Sequence, residues 1–324
     1  MRAKMQNPEH GGGVDAAASR YGIARENWLD LSTGVNPQPY PFAPLSTHDW
    51  GTLPDQVAMQ ALLNAARCFW NVPPTAAILA AAGASQLIAQ LPRLAKAGRV
   101  DISTPTYNEH ARAFTLNGWV LGSDQPRALV RVHPNNPDGT LWPGASGAAP
   151  LVIIDESFCD ICPSDSHIDF ATRKGTIILK SFGKFWGLAG VRLGFAIGDP
   201  ELIKRLRDML GPWVVSGPAL KIGTQALSDP HWAAQTRVRL AADANQLDQI
   251  MIQTGSATLI GGTTLFRLYQ VANAITWQNH LAKSAIWSRI FPYSNHWLRL
   301  GLPADAVGFE RLHRAAKTFA KDVL

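Results

Sequence analysis

The middle of the chain alternates short apolar runs with segments of helical periodicity, and this alternation limits the fold more than any other feature of the sequence. Short apolar runs bounded by turn signals are typical of buried strands, and amphipathic stretches between them are typical of crossover helices. The predicted strands are Ala77–Ala81, Val100–Ser103, Ala128–Val132, Leu151–Ile154, Thr176–Leu179 and Leu193–Ile197. The predicted helices are Ser85–Ala97, Tyr107–Asn117 and Pro200–Leu210. This order predicts an α/β fold with a mostly parallel sheet sandwiched by helices.

The pattern changes beyond residue 225. A long helical stretch over Pro230–Thr254 precedes strand-like segments at Thr264–Tyr269 and Trp297–Leu300, and a helix over Ala306–Val323 follows them. The 324 residues are enough for two packed domains. We predict a large domain over residues 37–225, a smaller α+β domain over 226–324, and an N-terminal arm over 1–36 that contributes to the small domain.

Composition restricts the class of protein and of partner. The chain is 46% hydrophobic and 17% charged, as globular proteins are. Its net charge of +6 is spread over scattered basic residues, so a small phosphorylated ligand is favoured over nucleic acid. The apolar runs are far shorter than the roughly 20 residues that a bilayer requires, and the first residues lack the apolar segment of a secretion signal. We expect no membrane contact and a cytoplasmic location.

Cys159 and Cys162 form a C-x-x-C pair, which occurs in zinc sites and in redox sites. A zinc site requires about four ligands, and the sequence has no second Cys or His pair at a matching spacing. We interpret both cysteines as ordinary thiols after a strand and expect no bound metal.

The segment Ser181-Phe182-Gly183-Lys184 gives the strongest indication of chemistry. A lysine among glycines at a strand end can approach a cofactor closely, and partial burial makes its amine nucleophilic towards an aldehyde. Ser181 and Arg192 supply a hydroxyl and a guanidinium, which suit a phosphate dianion. Ser-x-x-Lys by itself is usually a surface lysine. An arginine eight residues after the lysine, between two apolar strands, makes covalent attachment of a cofactor the favoured interpretation.

Asp155 and Asn136 follow two other predicted strands. Asp155 is either a helix cap or ion-pair partner, or a carboxylate that keeps a cofactor ring nitrogen protonated. Asn136 lies in the turn-forming segment His133–Gly139, which is either a plain loop or a source of an amide for a ring oxygen.

Gly83–Gln86 and Tyr107 follow the first two predicted strands. Backbone N–H groups at the start of the helix after Gly83 form a natural phosphate cradle. Tyr107 either stacks on a cofactor ring or is an exposed tyrosine at a helix start. Because ligands collect at the carboxyl ends of parallel strands, five strand ends together carry a cradle, an aromatic ring, an Asn, an Asp and a Lys.

The order and spacing of these residues resemble the aspartate-aminotransferase superfamily, the fold type I enzymes that depend on pyridoxal 5'-phosphate (PLP), over nearly the whole chain. The resemblance implies that Lys184 carries PLP covalently and that Asp155 pairs with the pyridine nitrogen. It also implies that Asn136 bonds the ring hydroxyl and that Tyr107 stacks on the ring. The residues implied to hold the cofactor phosphate are Gly83, Ala84, Ser85, Ser181 and Arg192.

Two positions depart from the pattern of that superfamily. Phe158 stands where many relatives carry a tyrosine hydroxyl, and Leu53 stands where many carry a tyrosine that reaches the partner subunit's cofactor. Each change removes one hydrogen bond, worth about 1 kcal/mol. Cofactor binding is therefore still expected.

The N-terminal segments His10–Gly13 and Trp28–Pro37 resemble those of the threonine-phosphate decarboxylases of cobalamin biosynthesis more than those of histidinol-phosphate aminotransferases. The resemblance implies decarboxylation of O-phospho-L-threonine to (R)-1-amino-2-propanol O-phosphate. The residues implied to contact the substrate are His10, Gly34, Asn36 and Arg299.

Three points stay open at this stage. A histidinol-phosphate-type or other class I/II aminotransferase is the alternative enzyme, and a PLP-binding regulator without catalysis is the alternative from another class. Arg299, in Trp-Leu-Arg-Leu, is a ligand for either the phosphate or the carboxylate of the substrate. Arg267 is either a further cation of the site or, as we expect, a strand arginine that faces solvent. The resemblance also implies a homodimer.

Overall fold

The structure is a computed structural model that describes residues 10–144 and 149–323. The strands in chain order are β1 (Leu29–Asp30), β2 (Ala77–Ala81), β3 (Arg99–Ile102), β4 (Val120–Leu121), β5 (Ala128–Val132), β6 (Leu151–Asp155), β7 (Thr176–Ser181), β8 (Gly194–Gly198), β9 (Ala257–Thr263), β10 (Phe266–Val271), β11 (Ile286–Trp287), β12 (Arg289–Phe291) and β13 (Ser294–Gly301). The α-helices are α1 (Val14–Tyr21), α2 (Thr47–Gly51), α3 (Gln56–Phe69), α4 (Ala84–Gln90), α5 (Asn108–Leu116), α6 (Pro200–Leu210), α7 (Gly217–Leu227), α8 (Pro230–Ile252), α9 (Ala274–Lys283) and α10 (Ala306–Val323).

The chain divides into two compact units. One unit, which we call the arm unit, combines the residues up to Pro37 with those from Arg239 onward. The other, which we call the sheet unit, comprises Gln38–Val238. Residues 1–9 of the predicted N-terminal arm lie outside the described residues.

The sheet unit contains a seven-stranded sheet in the order β2-β8-β7-β6-β5-β3-β4. All neighbouring strands are parallel except β8, which is antiparallel to both β2 and β7. All six predicted strands belong to this sheet, with ends shifted by at most two residues. The strands are almost continuously apolar and buried, as expected when helices cover both faces. The predicted α/β fold with a mostly parallel sheet is confirmed.

Helices of the sheet unit pack on the sheet through a shared apolar core. Leu87 of α4, Phe114 of α5 and Leu206 of α6 are fully buried in this core beside Val100 and Ile153 of the strands. Each such side chain contributes roughly 1.5–3 kcal/mol of stabilisation on burial. The core therefore holds the strand ends at fixed positions.

The prediction of one helix over Ser85–Ala97 is wrong in its second half. Helix α4 ends at Gln90, and a 3-10 turn over Leu91–Leu94 follows. Pro92 has no N–H to bond the carbonyl of Ile88, so the α-helix cannot continue through it. The sequence analysis also did not predict α3 or β9. In β9, Gly261 and Gly262 weaken the strand pattern, and Gly262 has a φ of +126°.

The arm unit contains a four-stranded antiparallel sheet in the order β12-β13-β10-β9 and a parallel pair of β1 with β11. Strands β10 and β13 correspond to the two strands predicted in this region, and α10 has the predicted bounds. Trp277 of α9 stacks on Phe319 of α10, with ring centroids 3.8 Å apart. Within residues 10–144 and 149–323, every helix is too short or too polar to cross a membrane.

Candidate active site

In the sheet unit, the carboxyl ends of β5, β6 and β7 lie side by side. Val132 is paired with Asp155, and Asp155 is paired with Leu179. Asp155 and Leu179 are paired in register on neighbouring strands, so their side chains share a face of the sheet. Because side chains alternate along a strand, Ser181, two residues after Leu179, lies on that same face. The last residue of β6 and the last residue of β7 therefore share one face of the sheet edge, and Lys184 follows three residues after Ser181.

Asp155 is buried, with only 2% of its surface exposed. Nε2 of His110 lies 2.8 Å from its Oδ2, and the backbone N–H and hydroxyl of Ser157 donate to its Oδ1 at 3.0 and 2.5 Å. Burial by itself raises the pKa of Asp155, but the hydrogen bonds and charge of His110 and the bonds from Ser157 outweigh burial and leave the pKa below its ordinary value. The carboxylate is thus ionised and aligned, as a partner for a protonated ring nitrogen must be.

Tyr107 is the N-cap residue of α5 and lies among the other predicted site residues. Its hydroxyl interacts with Ser85, and its ring is 6.0 Å from that of His110 in an edge-on arrangement. Burial and the negative charge of Asp155 raise the pKa of Tyr107 to about 12, whereas Arg192 opposes this shift. Tyr107, Ser85, Asp155 and Arg192 therefore lie close to one another, and Tyr107 is packed against the core instead of lying free at the surface.

Gly83 and Arg192 form a close pair. Gly83 has a φ of +88°, and a Cβ atom added there would lie 2.5 Å from Nη2 of Arg192. Gly83 also caps the N-terminus of α4 with no side-chain hydrogen bond to its first N–H groups. A guanidinium and a helix N-terminus thus face the same small space, and both favour an anion such as phosphate.

Lys184 lies in the loop after β7. Its Nζ is 5.2 Å from the ring centroid of Phe158, and its backbone carbonyl accepts a hydrogen bond from Gly187. Phe158 is buried and presents an apolar ring to the lysine. Ser181 accepts a hydrogen bond from the N–H of Gly183, so the turn between them is fixed.

The turn that carries Asn136 is tied to the segment before Tyr107 through Asn135. The Asn135 amide donates to the carbonyl of Pro105 at 3.0 Å, and Thr106 donates to the Asn135 carbonyl oxygen at 2.6 Å. Sequence reasoning overlooked Asn135 and His110. The available signal for His110 was its position three residues after Tyr107, which puts both on one face of a helix.

Cys159 of the C-x-x-C pair forms a cluster with His133 and Glu156, in which the possible ligand atoms lie within 4.8 Å of one another. The oxygens of Glu156 are bonded by Lys180, Ser166 and His167. Trp142 donates to Nδ1 of His133, and Nε2 of His133 lies 2.7 Å from the carbonyl of Asp165. Because these atoms are engaged within the protein, we interpret the cluster as structural.

The arm unit carries the other four predicted site residues. Arg299 is 5% exposed, donates to the carbonyl of Ser32 at 2.9 Å and packs on the ring of Phe266. Burial and the nearby charge of Arg289 lower the pKa of Arg299 to about 10. Arg289 is the direct cross-strand neighbour of Arg299, so both guanidinium groups lie on one face of the sheet.

His10, Gly34 and Asn36 lie in the arm itself. Asn36 is buried and accepts a hydrogen bond from Arg239 at 2.8 Å, and Gly34 is buried two residues before it. The side chain of His10 is exposed, but its carbonyl accepts a hydrogen bond from Arg289 at 2.9 Å. The arm is thus bonded to the strand that carries Arg289.

The expectation that Arg267 faces solvent is wrong. Its guanidinium donates to both carboxylate oxygens of Asp248, and its side chain is only 18% exposed. Such a forked pair satisfies the charge within the protein. Arg267 therefore stabilises the arm unit.

Residues 121–307 match the family described as "Aminotransferase class I and II". The chain is 36% identical to a threonine-phosphate decarboxylase from Pseudomonas aeruginosa, over 96% of this chain and 98% of that protein. The chain belongs to the threonine-phosphate decarboxylase branch of the class I and II aminotransferase family. A second member of this branch, from Sinorhizobium sp, is 39% identical over 94% of this chain and 96% of its own length.

This decarboxylase-branch chain has the fold of a solved histidinol-phosphate aminotransferase from Sinorhizobium meliloti in complex with pyridoxal-5'-phosphate. The TM-score is 0.80 over 100% of this chain and 98% of that chain, at 18% identity. The predicted PLP-dependent transferase fold of type I and the predicted family are therefore both confirmed.

Proposed function

We propose that this protein catalyses the PLP-dependent decarboxylation of O-phospho-L-threonine to (R)-1-amino-2-propanol O-phosphate, a step of cobalamin biosynthesis. The observation that carries the proposal is the identity of 36% and 39% to two threonine-phosphate decarboxylases, over nearly the full length of each. Because these matches cover nearly the whole of this chain and of both relatives, at about twice the identity of the structural neighbour at 18%, they favour this activity over that of the neighbour.

The sheet unit has residues that fit PLP. The Gly83–Arg192 pair and the first turn of α4 would hold its phosphate, the ionised Asp155 would face its ring nitrogen, and Lys184 would bind its aldehyde carbon. Bound PLP supplies an aldehyde that reacts with amines and a ring that accepts electrons from the bond being broken. Tyr107 would pack on the ring, and Asn136 would bond its hydroxyl.

Asp155 and Lys184 have different roles in the proposed reaction. Asp155, held ionised by His110 and Ser157, would keep a proton on the ring nitrogen of bound PLP. Lys184 would hold the cofactor until the substrate amine takes its place, and its amine, then protonated, would donate a proton to Cα of the substrate after the carboxylate has left as carbon dioxide. The apolar ring of Phe158 lies 5.2 Å from Nζ of Lys184 and would limit the access of water to that side of the lysine.

The arm unit has residues that fit an anionic part of the substrate. Arg289 and Arg299 place two positive charges on neighbouring strands, and their repulsion contributes to the lowered pKa of Arg299. A phosphate dianion relieves such repulsion and accepts forked hydrogen bonds from guanidinium groups. We propose that Arg299, supported by Arg289, binds an anionic group of the substrate, and that His10, Gly34 and Asn36 contact it from the arm.

The proposal includes a homodimer in the cytoplasm. Large apolar side chains are exposed on one part of the sheet unit, where Trp213 lines a cavity of 420 Å³ together with Pro54 and Met59. Trp213 is 61% exposed and Val57, on the same helix as Met59, is 80% exposed. Exposed apolar surface of this kind is typical of subunit contacts.

Analysis of the organic product tests the proposed reaction. The purified protein is incubated with PLP and O-phospho-L-threonine, with and without 2-oxoglutarate, and the products are separated. We expect an amino-alcohol phosphate whose yield does not depend on 2-oxoglutarate. A keto acid formed only with 2-oxoglutarate, or turnover of histidinol phosphate instead, would establish an aminotransferase.

A further inference from the structure

Asp160 is a buried carboxylate that has no direct role in the proposed reaction. It lies in the 3-10 turn Cys159–Ile161 after β6 and is 4% exposed. Its two oxygens accept from two indole groups, Oδ1 from Nε1 of Trp70 at 2.8 Å and Oδ2 from Nε1 of Trp186 at 3.0 Å. Burial of a carboxylate removes its charge from water and so lowers the stability of the fold. Apolar residues of the same volume would fill the space without this loss of free energy.

Trp186 connects Asp160 to the catalytic loop. It stands two residues after Lys184 and is fully buried. Its ring lies nearly parallel to the rings of Phe182 and Trp232, with centroids 5.2 and 5.4 Å away. Lys184 lies between Phe182 and Trp186 in the sequence, so the stacked rings fix the chain on both sides of the lysine. Asp160 accepts a hydrogen bond from Nε1 of Trp186, which is the single polar atom of that ring.

Lys180 connects Asp160 to the strand ends. Its Nζ is 3.9 Å from Oδ1 of Asp160 and 2.6 Å from Oε2 of Glu156, which directly follows Asp155. Alternation along β7 puts Lys180 on the opposite face of the strand from Ser181. Burial raises the pKa of Asp160, and Lys180 opposes this rise. A buried charge network therefore lies behind the sheet edge whose other face carries Asp155 and Ser181.

We infer that Asp160 is a positioning residue for Lys184: it holds Trp186 and, through Lys180 and Glu156, fixes the lysine loop relative to the end of β6. The inference rests on the proposed covalent attachment of PLP to Lys184. Its consequence is that Asp160 governs the rate of covalent attachment more than the affinity for the cofactor, since the phosphate cradle at Gly83 and Arg192 belongs to other segments.

Asp160→Asn tests this inference with little change in volume. One amide oxygen can still accept from one indole, but the amide nitrogen then faces the other indole N–H, donor against donor. Apoprotein is mixed with PLP without substrate. Total bound PLP is measured by equilibrium dialysis, and the PLP fixed on Lys184 by borohydride is measured at successive times. We expect attachment to slow by about tenfold to a hundredfold, as for small displacements of reacting groups, while total binding changes little.

Trp186→Phe is the second variant, and it decides the matter if Asp160→Asn does not fold. Trp119→Phe is its matched control, because Trp119 is also buried and its Nε1 donates to the carbonyl of Pro92 at 3.1 Å. We expect slow attachment in Trp186→Phe and parental attachment in Trp119→Phe. The inference is overturned if a folded variant of Asp160 or Trp186 attaches PLP at the parental rate, or if attachment and total binding fall together. Absence of label on Lys184 in the parent would overturn the proposed cofactor site as well, so the two failures are distinguishable.

Discussion

Nε2 of His110 lies 2.8 Å from Oδ2 of Asp155, and both side chains are buried. The contact, together with the bonds from Ser157, keeps the pKa of Asp155 below its ordinary value although burial opposes this. The charge that would face a protonated ring nitrogen is therefore maintained by His110 and Ser157, which are both outside the predicted site.

His110→Phe should raise the pKa of Asp155, because it removes a hydrogen bond to the charged carboxylate and leaves the burial. In the parent, the pKa of Asp155 is lower in the folded protein than in the unfolded protein, so the ionised carboxylate stabilises the fold at pH values above the unfolded pKa. That stabilisation is lost as the pH falls through the folded pKa. Because the pKa of Asp155 is higher in the variant, its carboxylate becomes protonated at a higher pH than the carboxylate of the parent. We expect the acid limb of the profile of kcat/KM against pH to move upward, and kcat to fall about tenfold or more at neutral pH.

The pH profiles of three proteins check this expectation: the parent, His110→Phe and the control His313→Phe. His313 has a side chain that is 47% exposed in the arm unit. An unchanged acid limb in His110→Phe, or an equal shift of the limb in the control, would contradict the role of His110.

Gly83→Ala should weaken PLP binding through Arg192. The new Cβ would lie 2.5 Å from Nη2 of Arg192 and would displace the guanidinium from the phosphate cradle. Loss of one charge-assisted hydrogen bond costs roughly 1.5–3 kcal/mol, which corresponds to at least a tenfold rise in the dissociation constant of PLP.

Gly118→Ala is the control for backbone strain, because Gly118 has a φ of +79° and no described atom lies within 4 Å of its added Cβ. Each substitution should cost of the order of 1–3 kcal/mol of stability, measured by urea unfolding. Only Gly83→Ala should alter PLP affinity, measured by dialysis. Equal affinities in the two variants would contradict the assignment of the cradle.

Arg299→Ala should reduce the preference for phosphothreonine over threonine. Each charge-assisted bond to a phosphate contributes roughly 1.5–3 kcal/mol, so removal of Arg299 should lower the ratio of kcat/KM values for the two substrates by about tenfold or more. Arg289→Ala should lower the same ratio. Arg267→Ala is the control, because Arg267 lies on β10, the strand next to that of Arg299, and its charge is paired with Asp248 of α8. A ratio that falls as far in Arg267→Ala as in Arg299→Ala would show that the effect is structural.

Trp213→Asp should weaken the proposed homodimer. A buried tryptophan at a subunit contact typically contributes 2 kcal/mol or more, so the dimer dissociation constant should rise by roughly tenfold or more. Sedimentation equilibrium measures this constant for the parent, for Trp213→Asp and for the control Val307→Asp. Val307 is chosen because its side chain is exposed in the arm unit. A parent that sediments as a fully active monomer would refute the dimer.

Much of the fold could be predicted from the sequence because apolar periodicity is a local signal. The strands Ala77–Ala81 and Ala128–Val132 and the helices Pro200–Leu210 and Ala306–Val323 have the predicted bounds. The helix over Ser85–Ala97 was predicted too long because the periodic pattern outweighed the missing N–H of Pro92.

The contacts of the site residues were less predictable. Tyr107, Ser85 and Arg192 lie together although four strands of the sheet separate β2, which precedes Ser85, from β3, which precedes Tyr107. The contacts of His110 with Asp155 and of Asp248 with Arg267 join residues that are distant in sequence or lie on different elements. No local pattern records such pairs, since they arise only when the elements pack.

Carbon dioxide release from O-phospho-L-threonine tests the central claim most directly. The parent and Lys184→Ala, each supplied with PLP, are given substrate labelled in its carboxyl carbon, and the trapped gas is counted against substrate consumed. The account predicts that the parent releases one carbon dioxide for each phosphothreonine consumed and that Lys184→Ala releases almost none, since the lysine that attaches the cofactor and returns the proton is gone. If the parent consumes phosphothreonine and keeps the label in a keto acid, or if Lys184→Ala releases carbon dioxide at the parental rate, the account is contradicted.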